Sequence, residues 1–293
     1  MKKIVWLLMM VVMPMVANAA FSRNADLEDE DELLHRLDQY IARRDEFSSK
    51  KEKKLIRMKK KLNLTSGKRE RLSLYNQIYR EYYTYRYDSA MVYAKRGLQL
   101  AEQLHDDYYI NLNKINRAAV LSTGGFYSQA EDLLLSLKPE DISPKLMQYY
   151  YYTLTWVYNY WGAFCERSEF KEEMQDKKRL YLAKTLEYMG NKQSALYYYL
   201  SGELEYLLHR TDKKVLGWYQ KALAASPVDS RVHASAAYCI ARYYQDNEQM
   251  DIYEKYLVQA AISDQVCPLK ENLALQELST YLYNKDAKYA KRV

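Results

Sequence analysis
His35, His105, His209 and His233 are the only imidazoles in the chain, and no two stand at the H-x-x-x-H spacing that puts two ligands on one helix face. A zinc site needs three or four convergent ligands, so no metal is expected. The three cysteines, Cys165, Cys239 and Cys267, fit no metal-binding spacing. Cys239 and Cys267 fall on neighbouring helical units and could close a disulfide in an oxidising compartment; buried unpaired thiols are the plainer reading. The sequence holds no G-x-S-x-G elbow, no P-loop and no G-x-G-x-x-G fingerprint. Gly124-Gly125 sits between two helical stretches rather than after a strand, so it makes no phosphate cradle. The carboxylates fall on solvent faces. The expectation is a protein that is not an enzyme and takes no cofactor.

What remains is surface chemistry. Asn113, Asn116 and Arg117 offer polar groups on one helix, and Tyr152, Asn159 and Tyr199 mix aromatic and polar character on two others. These six are the candidates for a ligand groove. Arginine can take a carboxylate through two parallel hydrogen bonds, and tyrosine or tryptophan rings can stack on sugars or hold apolar side chains. Tyr149 to Tyr152, Trp156, Tyr158, Tyr160 and Trp161 cover every side of their helix, so many of these rings must pack between elements.

The elements that position them are helices. With only 8 Gly and 5 Pro among 293 residues, a turn-rich β protein is excluded. From Arg71 to Leu104, Leu72, Tyr75, Ile78/Tyr79 and Tyr82, then Ala90/Met91, Ala94, Leu98 and Ala101, recur at three- and four-residue steps. That spacing makes two helices with one apolar face each, and Asp88 is placed to cap the second. So short a pair cannot bury its apolar face alone and needs neighbours stacked on it. Further pairs follow at 108–137, 143–189, 192–225, 231–263 and from Pro268. Thr211 and Asn247 are read as caps, and Ser143-Pro144 as a cap with proline at the first helical position.

First helices start at 72, 108, 144, 192, 231 and 268, in steps of 36, 36, 48, 39 and 37 residues. Tetratricopeptide units repeat at about 34 residues, and the WYQKALAASP stretch from Trp218 to Pro227 resembles the end of one. The predicted fold is all-α, a tetratricopeptide-like right-handed α-solenoid of about six helix pairs preceded by a long amphipathic helix. Its domains are a signal peptide at 1–19, a charged lead-in with that helix at 20–65, and the repeat domain at 66–293 with an incomplete last unit.

Lys2 and Lys3 followed by the apolar run Ile4 to Val16 and Ala17-Asn18-Ala19 read as a cleavable export signal, too short to span a bilayer. A periplasmic location is therefore expected, with no membrane span after cleavage. Of the 44 basic residues two leave with the signal, against 38 acidic ones, a net of about +4. That is too weak to imply nucleic acid. The leading helix carries Lys50, Lys51, Lys53, Lys54, Arg57 and Lys59 to Lys61 between Leu55, Met58 and Leu62, with a break expected near Ser48-Ser49. Its basic side could meet nucleic acid or anionic lipid; a solvated face is the plainer reading.

Two stretches resemble a family of exported tetratricopeptide regulators: Leu37-Asp38, Ile41, Arg44-Asp45, Phe47, Lys51-Glu52 and Leu55; and Tyr79, Glu81-Tyr82, Tyr85, Tyr87-Asp88-Ser89-Ala90, Tyr93-Ala94 and Leu100-Ala101. The resemblance implies an extracytoplasmic helical-repeat half, followed in that family by a transmembrane helix, a cytoplasmic coiled coil and a regulatory tail. The present sequence resembles the first half alone. It is accordingly expected to be a binding module that holds a peptide or protein in its groove, the sensor half without its membrane and output parts. One alternative is a glycan-binding helical-repeat protein, favoured by the Tyr and Trp content and opposed by the absence of a lipid-anchor cysteine and of long Gly/Asn-rich insertions. The other is a truncated product without present function. Ala287 to Val293 is expected to fray, and self-association could cover an open last unit. Edman sequencing or intact mass of the exported protein is expected to place its first residue at Ala20.

Overall fold
The computed structural model describes residues 29–267 and 273–285; the signal-like segment and the Ala287–Val293 stretch lie outside them. Every regular element among the described residues is helical. In chain order they are α1 (Glu30–Ala42), α2 (Arg44–Leu64), α3 (Lys68–Tyr83), α4 (Tyr87–Gln103), α5 (Asp107–Thr123), α6 (Tyr127–Leu135), α7 (Pro144–Phe164), α8 (Lys171–Tyr188), α9 (Ala195–Leu208), α10 (Lys213–Ala225), α11 (Arg231–Asp246), α12 (Met250–Val266) and α13 (Leu273–Lys285), with one 3-10 turn at Pro139–Asp141. They fall into two compact units, Ser48–Gly190 and Met1–Phe47 with Asn191–Val293.

The helix pairs stand where the apolar period puts them, but several caps differ. Asp88 lies inside the first turn of α4, which begins at Tyr87 with Arg86 as its cap; a carboxylate there still faces the positive end of the helix dipole. Asp212, rather than Thr211, caps α10 by accepting from Lys214 N at 2.8 Å. Ser143 makes no side-chain cap bond, and the fixed φ of Pro144 starts α7 without it. Asn247 closes α11 rather than opening α12; the chain reverses through Glu248 at φ 60° and α12 starts after Gln249. Asp106, Ser194 and Ser230 make the side-chain caps of α5, α9 and α11. The leading helix breaks at Arg43, and Ser48-Ser49 run through unbroken α2. At that break Phe47 stacks back on Tyr40 at 6.1 Å, with the Arg43 guanidinium 5.5 Å above its ring.

In the Ser48–Gly190 unit each helix from α3 to α8 packs on the next, α5 lies beside both α3 and α7, and α2 joins them through side chains in a shared core. The hairpin between α5 and α6 turns at Gly125, whose φ of +86° suits glycine. Close approach of α4 to α5 depends on Gly97, because a Cβ there would stand 2.3 Å from Asn113 Oδ1. One core gathers Leu55 and Leu62 of α2 with Ile78, Tyr79 and Tyr82 of α3 and Ala90 and Ala94 of α4. Another gathers Ile115, Leu134, Leu146, Leu154 and Val157. The long helices α7 and α8 account for the drawn-out third repeat step.

In the other unit α9 to α13 pack in sequence, and α1 lies against α12. From Tyr256 to Gln265 every residue of α12 is buried, so it has no solvent face. Leu33, Leu34 and Leu37 of α1 are likewise buried, each contributing roughly 1.5–3 kcal/mol of apolar burial before ordering costs. The leading helix read as a lead-in is thus two elements, and its first part covers the C-terminal pair. The Ala287–Val293 stretch on which the expected self-association rests lies outside the described residues. One cation ties these three helices: Lys285 Nζ lies 2.6 Å from Glu254 Oε2 and 3.1 Å from Glu30 Oε1. Burial lowers the Lys285 pKa, but Glu254 and Glu30 outweigh it and hold the ammonium above its usual range. Burial pushes the Glu254 carboxyl up, against the pull of Lys285.

His233 of α11 is buried, with Nδ1 2.8 Å from Ser263 Oγ on α12. Burial lowers its pKa to about 4, against 6.5 for an unperturbed imidazole. The folded chain keeps the ring neutral while the unfolded chain takes up a proton below 6.5, so this contribution is complete above pH 6.5 and is lost as pH falls toward 4. A depression of that size corresponds to about 3 kcal/mol. Urea unfolding at pH 7.5, 5.5 and 4 is expected to show His233→Gln losing less stability with acid than the parent, by up to about that amount.

Candidate ligand-binding face
The site is built from α3, α5 and α7, and its foundation is a buried polar ladder. Asn116 Nδ2 donates to Asn76 Oδ1 at 3.0 Å, while Asn76 Nδ2 donates to Leu72 O in its own helix at 3.0 Å. Tyr149 OH donates to Asn116 Oδ1 at 3.0 Å, and Tyr79 OH donates to Asn116 O at 3.1 Å. The two hydroxyls are 3.3 Å apart. Burial raises the Tyr149 pKa to about 12 and that of Tyr79 well above its ordinary value, so both phenols stay protonated and able to donate. Three helices from three repeats are thereby locked in register.

Above this ladder, solvent reaches each first helix along one sector with one spacing. On α3 it is Ser73, Gln77, Arg80 and the terminal Thr84; on α5, Ile110, Lys114, Arg117 and Leu121; on α7, Lys145, Tyr149, Tyr152 and Trp156. Steps of four, three and four residues hold a single helix face. The twelve positions include four cations and no carboxylate. Arg80 is close enough to the Tyr79 and Tyr149 hydroxyls to act on both electrostatically. Arg117 is half-buried, and its Nε is buried without a hydrogen-bond partner. On α7 an aromatic ladder continues the sector, with Tyr152 to Trp156 at 6.0 Å and Trp156 to Tyr160 at 5.7 Å between ring centroids. Asn159 is half-exposed beside it.

Of the six groove candidates, the structure brings Arg117, Tyr152 and Asn159 to this face. Asn116 lies directly beneath it, buried in the ladder. Asn113 is fully buried against Gly97 of α4, with Nδ2 donating to Tyr109 O at 2.8 Å and Oδ1 unpartnered. Tyr199 belongs to the other unit, where it is buried with its ring 6.3 Å from that of Tyr219. For these three the expected groove-facing position gives way to a core position, because polar residue type does not tell which side of a helix meets its neighbours. Arg80, Lys114 and Tyr149 were not among the candidates; aligning the four-three-four spacing across repeats is the signal that marks them.

The first helices of the other unit differ in kind, for their polar groups bind one another. Glu277 accepts from Tyr238 OH at 2.5 Å and from Tyr253 OH at 2.9 Å. Asp246 accepts from Tyr206 OH at 2.8 Å and Arg210 Nε at 2.7 Å. Among the described residues no disulfide joins Cys165, Cys239 or Cys267, and all three are half-exposed rather than buried; the Cys239 thiol donates to Glu203 at 3.4 Å. No group of three or more His, Cys, Asp or Glu side chains is placed to hold a metal ion among the described residues.

The family model of the SusR N-terminal TPR domain matches residues 41–292. The chain belongs to this family. The SusR N-terminal TPR match takes in the 79–101 stretch and most of the leading-helix stretch on which the resemblance to tetratricopeptide regulators rests. No curated protein matches the chain. Membership and fold agree on a helical-repeat interaction module, an all-helical architecture that typically serves as a scaffold rather than a catalyst. No helix among the described residues is long and apolar enough to cross a membrane.

Removing the Asn116 side chain leaves Asn76 Oδ1 buried without its partner and leaves the Tyr149 hydroxyl only that of Tyr79. Asn116→Ala is expected to destabilise this unit by about 1–3 kcal/mol. Asn113→Ala, which removes an amide whose oxygen is already unpartnered, is expected to cost less. Urea unfolding of the two variants side by side reads the difference.

Proposed function
We propose that this chain is a non-catalytic binding module, exported to the periplasm by its signal-like segment, that takes a peptide or protein segment across the face of α3, α5 and α7. In its family setting it is the sensor half of a membrane regulator. The observation that carries the reading is a three-helix face bearing Arg80, Lys114, Arg117 and Lys145 with no carboxylate among them, next to a ladder of aromatic rings. Cations without acidic partners favour a carboxylate-bearing ligand, and Arg117 offers the fork geometry for one. The half-exposed rings of Tyr152, Trp156 and Tyr160 supply apolar area at low conformational cost.

The aromatic ladder also supports a second reading, capture of a glycan whose rings stack along α7. Titration calorimetry separates the two. Short peptides with a free C-terminal carboxylate, the same peptides amidated, and a polysaccharide panel are titrated into the protein. Binding is expected for carboxylate-ended peptides and weaker binding for the amides. Arg117→Ala is expected to lower peptide affinity by about 10- to 100-fold, the worth of one charge-assisted contact. Heat with one glycan and none with any peptide would reverse the order of the two readings.

A further inference from the structure
Helix α2 carries nine basic and three acidic residues, and the fold sorts them. Leu55, Met58 and Leu62 point into the core under α3 and α4. On that inner side and its edges the charges are paired. Lys51 and Lys54 lie 3.4 and 2.7 Å from Glu81. Glu52 lies 2.8 Å from Arg86 and accepts from Tyr85 OH at 2.8 Å. The Lys59 ammonium sits 5.2 Å from the centre of the Tyr82 ring. Burial would raise the Glu81 carboxyl, but Lys54 and Lys51 together hold it below its usual range.

The opposite side is different. Lys53, Arg57 and Lys60, at i, i+4 and i+7, are all exposed. No carboxylate of the described residues lies within ion-pair distance of any of them, and none stands on that side of the helix from Lys53 to Leu64. Lys61 at its edge has only a 3.6 Å contact with the exposed Glu70. Two large apolar side chains share this side, Ile56 at 60% and Leu64 at 79% exposure. At 1.5 Å per residue the stripe from Lys53 to Leu64 is roughly 16 Å long. A helix face that is merely solvated mixes both signs of charge; this one is cationic throughout and exposes apolar groups among the cations.

We propose that the outer face of α2 docks the protein on an anionic bilayer surface, with Lys53, Arg57 and Lys60 against lipid phosphates and Ile56 and Leu64 entering the headgroup region. The inner face of the helix is taken by the protein core, so the contact is peripheral. Exposed isoleucine and leucine decide for lipid over nucleic acid, because a phosphodiester backbone offers them no apolar layer. This docking surface is separate from the ligand face and does not depend on it.

Co-sedimentation with vesicles of phosphatidylcholine alone, and of phosphatidylcholine with roughly one-third phosphatidylglycerol, tests the proposal; each cation near an anionic surface strengthens binding about fivefold. Both the full chain and the form starting at Ala20 are used, so that binding through the apolar run at 4–16 is told apart from binding through α2. Salt-sensitive binding to the anionic vesicles only is expected from both forms. K53Q/R57Q/K60Q is expected to weaken it by about 100-fold, with the helical circular dichroism and thermal midpoint unchanged. I56S/L64S is expected to weaken it by a smaller factor. Equal binding to neutral vesicles, a triple variant that binds as the parent does, or binding that vanishes with residues 1–19 would overturn the proposal. So would tighter binding of duplex DNA than of vesicles through these three cations.

Discussion

Polar groups buried between neighbouring helices must find each other, and in the Ser48–Gly190 unit this requirement sets the register of everything above it. An amide buried without a partner costs about as much as several methylenes contribute. Asn116 meets that requirement through partners on both flanking first helices, Asn76 and Tyr149, while Tyr79 closes on its backbone carbonyl. A slide of α5 past α3 or α7 would break several of these bonds together. The proposed ligand face inherits its order from this layer, since Arg80, Arg117 and Tyr152 occupy corresponding places on helices that cannot drift. A binding surface laid over a satisfied polar layer is rigid without needing contacts of its own.

The other unit meets a different demand. From Tyr256 to Gln265 helix α12 is too tightly surrounded to present any side to water. Its neighbours α11 and α13 come from nearby in the chain, but α1 comes from its beginning. Helix α1 covers one side of α12, with Leu33, Leu34 and Leu37 buried and acids in its first turn. The buried Glu254 is tolerable because Lys285 stands beside it and also reaches Glu30. Charge burial of this sort adds little net stability.

The helical period was strong enough to place the repeat starts at 72, 108, 144, 192 and 231 near their helices, while the sixth, at Pro268, lies outside the described residues, and Gly124-Gly125 and Pro144 marked true boundaries. Caps were less legible. Thr211 and Asp212 are both competent acceptors one residue apart, and which one caps α10 depends on where the preceding chain enters. Groove membership was less legible still. Asn113, Asn116 and Arg117 lie within five residues of one another, yet one packs on α4, one forms the ladder and one reaches solvent. A step of one residue turns 100° around a helix, so adjacent polar residues are assigned to different neighbours by packing that residue type does not encode.

By itself the sequence determined the helical class and the repeat length. Those properties rest on local spacing, which a chain carries with it wherever it folds. Only the tertiary structure decided that the leading segment divides at Arg43, that α1 covers α12, and that the chain forms two compact units. The same holds for the three-helix face and for the sorting of α2 into a paired inner side and a cationic outer side. Each of these depends on which distant residues meet, as in Lys285 with Glu30 or Asn116 with Asn76, and periodicity along the chain says which face is apolar without saying what will cover it.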